Sequence, residues 1–78
     1  MTGLTVPQAV QTWTDAWLRR QRGSPENQRA WNAAFKAGQE VAFALLRNGQ
    51  PEAASKVLVA LDTGGLTLVS AAIREVTQ

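Results

Sequence analysis

The chain has 78 residues, 45% of them apolar, a net charge of +2, and neither cysteine, histidine nor tyrosine. That composition excludes a disulfide framework, a thiolate nucleophile, a histidine base working near neutral pH and nearly every protein zinc site. A chain this short predicts one helical domain over residues 1–78, because thirteen alanines favour helices at close approach and only twenty-two large apolar side chains furnish a core.

The first helix is expected over about residues 6–22. In "LTVPQAV" Thr5 stands as N-cap, Pro7 falls in the first turn, and Gln8 follows the cap by three residues, the spacing of a capping box. Val6, Val10, Trp13 and Trp17 recur on one helix face. Asp15 and Arg19 have the spacing of a favourable i,i+4 pair. Arg19, Arg20 and Arg22 crowd the last turn, where the helix dipole stabilises positive charge, and Gly23 is the expected stop.

The second helix is expected over about 25–47, opened by Ser24-Pro25-Glu26 as cap, first-turn proline and first-turn acid. Trp31, Ala34, Phe35, Gly38, Val41, Ala42 and Leu45 form its apolar series, and Asn48-Gly49 supplies a left-handed stop. A third helix over 51–62 carries Ala54, Val57, Leu58 and Leu61, with Glu52 and Lys56 spaced to pair outside. Gly64-Gly65 reads as a helix stop, since no strand precedes it and no Lys-Ser/Thr follows it as in a phosphate loop. The last segment predicts a short fourth helix over about 67–76 with Val69, Ala72, Ile73 and Val76 inward and Thr67 as cap. Residues 66–70 could also be extended.

The fold expected is therefore all-α, a small antiparallel bundle of three main helices plus a short fourth. Counting outward from the first turn places Trp17 and Trp31 at one height, so their rings should meet across the corner, with Trp13 near Ala34 and Phe35 and Val10 near Gly38. Counting outward from Asn48-Gly49 sets Ala42 near Val57 and Val41 near Leu58. The second helix should be the spine, touching both neighbours. Phe43, Leu46 and Val59 fall off these inward faces: either the fourth helix covers them, or they form a homodimer or partner interface.

"RNGQPEAASKVLVALD" resembles the turn and second helix of a tetratricopeptide unit, with Gly49, Ala54 and Leu58 at fitting positions. The similarity spans one unit and does not recur, so it implies a helical hairpin and nothing further.

The carboxylates Asp15, Glu26, Glu40, Glu52, Asp62 and Glu75 are dispersed, with no D-x-D or E-x-x-E pair. No catalytic, cofactor or metal-binding residue is therefore assigned, and the chain is not expected to be an enzyme. Two nucleic-acid readings arise. "VALDTGGLTLVSAAIREV" resembles a helix-turn-helix in outline, but its second helix offers Leu68, Val69, Ala71 and Ala72 where base-reading helices carry polar side chains, and Ser70 falls where a core residue is expected. Arg19, Arg20, Arg22 and Arg29 at the first corner could instead contact phosphates or an acidic protein surface. Residues 1–39 carry five basic and two acidic groups, residues 40–78 three and four, so the basic excess lies in the first half.

No apolar run approaches the roughly 20 residues that span a bilayer, and no basic-then-apolar leader opens the chain. The expectation is a cytoplasmic protein–protein interaction module (adaptor, regulator or inhibitor) that forms a homodimer and has no membrane role. The alternative is a small basic DNA- or RNA-binding protein that uses the arginine corner.

Overall fold

Four helices in chain order make up the computed structural model, which describes residues 5–22, 28–63 and 65–77. They are α1 (Val6–Arg22), α2 (Gln28–Arg47), α3 (Pro51–Asp62) and α4 (Leu66–Thr77). The all-α bundle is the architecture the sequence predicts. The expected stop at Gly23, the start at Ser24-Pro25-Glu26 and Gly64 lie outside the described residues.

Local chemistry sets the helix ends. The Thr5 N–H donates to Gln8 Oε1 at 3.0 Å and the Gln8 N–H donates to Thr5 Oγ1 at 3.3 Å, a reciprocal capping box that satisfies two otherwise orphaned donors. At the other end of α2, Gly49 has φ +76°, the Gln50 N–H donates to the Leu45 carbonyl at 2.9 Å and the Gly49 N–H to the Leu46 carbonyl at 3.1 Å. These are the two bonds of a Schellman motif. Gln50 then caps α3, and Pro51 occupies its first turn. Nothing lies within 4 Å of a Cβ built on Gly49, so its constraint is backbone conformation alone. Gly49→Ala should therefore cost about 1 kcal/mol, lowering the melting temperature by roughly 4–8 °C. Asn, which tolerates this conformation, should recover part of the loss; an unchanged melting curve for the alanine variant would count against the motif.

α4 starts one residue before its expected position. The Val69 N–H donates to the Gly65 carbonyl at 3.0 Å, which makes Gly65 the capping residue and places Thr67 inside the first turn. Residues 66–70 are helical. Moving the start to Leu66 puts Leu66, Val69 and Ile73 on one face, and all three are buried. A strand here would have had no partner for its backbone groups.

α2 is the spine: it packs on α1, α3 and, over a smaller area, α4, while α3 packs on α4. The core consists chiefly of alanine and valine with a few larger anchors, among them Trp13, Leu45, Leu61 and Ile73. No polar or charged residue among those described is buried in it. Its central point is Gly38. A Cβ built there would stand 3.0 Å from Leu61 Cδ2, 3.3 Å from Val69 Cγ1 and 3.5 Å from Trp13 Cζ3, so side chains of α3, α4 and α1 converge on one missing methyl group. The sequence count set Val10 near Gly38; Trp13 takes that place because its long ring reaches across the helix contact.

The rings do not pair as the sequence count suggests. Trp13 stacks on Trp17 with centroids 5.7 Å apart, and Trp31 stacks on Phe35 at 5.2 Å. Each pair has i,i+4 spacing within a single helix, so the nearest large neighbour is the one on the next turn. Trp13 is buried, while Trp17, Trp31 and Phe35 are partly buried against the core.

The surface ion pairs differ as well. Lys56 Nζ donates to Glu75 Oε1 at 2.9 Å, linking α3 to α4, where the sequence spacing suggested Glu52. Asp15 Oδ1 accepts from Gln11 Nε2 at 3.1 Å in place of the expected Arg19 pair. Helical spacing permits both local pairs, but neighbours of similar reach compete for the same charged atoms, and exposed pairs gain too little to exclude a competitor.

Candidate functional site

The structure presents two distinct surfaces that gather the residues of interest. The first is a trough between α1 and α2. Ala16, Ala30, Ala33 and Ala37 form its floor, and Thr12, Asp15, Arg19, Arg29, Lys36 and Glu40 its rim. Small floor residues leave the helix backbones accessible, whereas the rim carries both signs of charge. Since Trp13 lies level with Gly38 in the antiparallel pair, Lys36 lies level with Asp15 and Glu40 with Gln11 and Thr12. Arg29 sits at the opposite end, beyond Arg19. The trough therefore runs from a carboxylate end at Glu40 to a guanidinium end at Arg19 and Arg29.

Two of the four arginines singled out at the corner, Arg19 and Arg29, thus share this trough. Arg22 is exposed at the last residue of α1. Arg20 is set apart: it is partly buried, and its Nε is buried without a hydrogen-bond partner. The structure accordingly spreads the arginine cluster over different environments, and the carboxylates Asp15 and Glu40 interrupt its positive field.

The second surface is apolar. Val59 of α3 and Leu68 of α4 are 58% and 55% exposed, and they line one groove with Ala60, Ala71 and Ala72. The Lys56–Glu75 ion pair borders the same groove. Phe43 and Leu46, on α2, are 44% and 46% exposed and do not line it. Phe43, Leu46 and Val59 all remain exposed, so α4 covers none of them. Val59 thus shares its groove with Leu68, while Phe43 and Leu46, one turn apart on α2, stand outside that groove.

The sequence marks Leu68 as unsuited to base reading but not as part of an apolar surface, although it stands off the Leu66, Val69 and Ile73 stripe by a third of a turn and so should face outward. Sequence reasoning passed over the trough. The Ala30, Ala33 and Ala37 spacing traces a second helix face beside the main apolar series, and the Lys36–Glu40 spacing marks its rim.

Among the described residues, no group of three or more Asp, Glu, His or Cys side chains comes together. None of their helices is long and apolar enough to cross a membrane. The second helix of the helix-turn-helix outline exposes Thr67, Leu68, Ala71, Arg74 and Glu75, a face with a single basic group. No protein-family model, curated protein or solved structure matches the chain.

Proposed function

We propose that the chain is a small cytoplasmic protein–protein interaction module, an adaptor, regulator or inhibitor that acts through its surface and self-associates. The observation that carries this reading is the exposure of Phe43, Leu46, Val59 and Leu68, four large apolar side chains on three helices of a short chain. Single exposed apolar residues are ordinary, but pairs on one helix or across one groove are what partner surfaces are built from. The lack of histidine and cysteine and the dispersal of the carboxylates support a non-enzymatic role.

DNA or RNA binding through the arginine corner is the second reading, favoured by Arg19 and Arg29 sharing one trough. Asp15 and Glu40 on the same rim weigh against it, because a nucleic acid presents uniform negative charge. Trp17 and Trp31 are partly buried against neighbouring rings, which leaves them poorly placed to stack on bases.

Affinity capture from the native cell, with and without nuclease, tests both readings. A protein partner that survives nuclease and is lost on Phe43→Ser/Leu46→Ser or on Val59→Ser/Leu68→Ser, with the circular dichroism spectrum unchanged, is the expected result. Recovery of nucleic acid that depends on Arg19 and Arg29 would favour the second reading. Recovery of the same material by the wild type and by both serine variants would sink the first.

A further inference from the structure

We infer that the α1–α2 trough is the self-association surface and that its occupant is the same trough of a second copy, docked antiparallel. The inference rests on the self-association part of the reading above and assigns it a place, distinct from the apolar residues proposed for other partners. Charge complementarity along the rim favours this occupant. Besides Lys36, the trough carries Glu40 at one end and Arg29 at the other, with Asp15 and Arg19 between them. None of these four takes part in an ion pair among the described residues, although Asp15 and Arg19 have i,i+4 spacing on α1.

A two-fold axis crossing the trough near Ala16 and Ala34 turns one copy end over end upon the other. It sets α1 against α1 and α2 against α2. Glu40 of one copy then lies opposite Arg29 of the other, and Asp15 comes within about one residue of Arg19. Each contact occurs twice, as a two-fold interface requires. The alternative two-fold, with its axis along the trough, would set Lys36 over Asp15 of its neighbour, but it would also set Arg29 over the Arg19–Arg22 end and leave Glu40 with no opposite charge. The crossing axis brings the two copies of Lys36 within about three residues of each other, yet it gives four opposite-charge contacts against two, so the charges favour this docking direction. The exposed Ala33 and the half-buried floor residues around it let the helices approach closely, so that the rim charges can reach across.

Sedimentation equilibrium of the full chain up to several hundred micromolar, in low and high salt, tests this. The wild type is expected to form a dimer that weakens as salt rises. Glu40→Arg and Arg29→Glu should each raise the dimer Kd roughly tenfold or more by placing like charges opposite one another. An equimolar mixture of the two variants should restore dimerisation, because each reversed charge then faces an opposite one. Ala33→Trp, on the exposed floor, should block docking by bulk alone. Circular dichroism of every variant monitors the fold.

A wild-type dimer unmoved by both reversals and by Ala33→Trp overturns this inference and leaves self-association through another face intact. Failure of the mixture to dimerise when both single variants are monomeric overturns the antiparallel register. A wild type that stays monomeric overturns the inference together with self-association, while a partner bound through Phe43 and Leu46 would survive as a separate result.

Discussion

Replacing Gly38 with valine is expected to unfold the bundle or force its helices apart. A single Cβ at this position would already stand 3.0 Å from Leu61 Cδ2 and 3.3 Å from Val69 Cγ1. Leu61 can swing its terminal methyl aside, but Val69 is β-branched, fully buried and has little rotamer freedom. Alanine sets two opposed effects against each other: about 0.5–1 kcal/mol gained from removing a mid-helix glycine, and about 1–3 kcal/mol lost to overpacking. A small net loss is expected for Gly38→Ala. Valine adds two further methyl groups to a space that lacks room for one, and its stiff side chain costs helix propensity besides. The loss should exceed about 3 kcal/mol, comparable to the whole stability of a domain this small. Thermal unfolding by circular dichroism measures it; a Gly38→Val protein melting within a few degrees of wild type would show that the four-helix junction is not tightly packed.

Trp13→Ala is the second large effect. Trp13 is 3% exposed, stacks on Trp17 and closes the junction over Gly38. Truncation removes a large buried ring and leaves a cavity bounded by three helices, which costs about 3–5 kcal/mol. Trp17 also loses its stacking partner, worth about 0.5–1.5 kcal/mol beyond area burial. The variant should be largely unfolded at room temperature, and Trp13→Phe should retain most of the fold at a lower melting temperature. Trp17→Ala, at a partly buried position, should cost clearly less than Trp13→Ala. Equal losses at the two positions would contradict the burial order.

These two positions separate what was legible in the sequence from what was not. Trp13 and Gly38 both fall on inward stripes, so their burial could be read from helical periodicity. Their contact could not. Counting residues from the turn paired Gly38 with Val10, because such a count treats helices as parallel rods with side chains of equal reach. The indole reaches farther, and the helices cross at angles that periodicity does not encode. The same limit applies to the candidate surfaces. The basic corner and the off-stripe residues Phe43, Leu46 and Val59 were visible as types and positions. That Arg19 and Arg29 share a trough with Asp15 and Glu40, while Arg20 turns inward, depends on how α2 lies against α1.

What the sequence determined by itself is local. The Thr5–Gln8 capping box, the Asn48-Gly49 stop, Pro51 in a first turn and the apolar stripes of α1, α2 and, apart from the exposed Leu58, α3 depend on atoms a few residues apart, whose geometry the backbone largely dictates. The central place of α2 followed too, because its apolar series is wide enough to serve two neighbours. Tertiary structure alone decided the rest: the stacking of Trp13 on Trp17 instead of Trp17 on Trp31, the Lys56–Glu75 link, the convergence on Gly38 and the separation of Val59 from Phe43. Each of these is a choice among partners of nearly equal local merit. Free-energy differences of about 1 kcal/mol or less separate such partners, and the packing of the whole bundle selects among them.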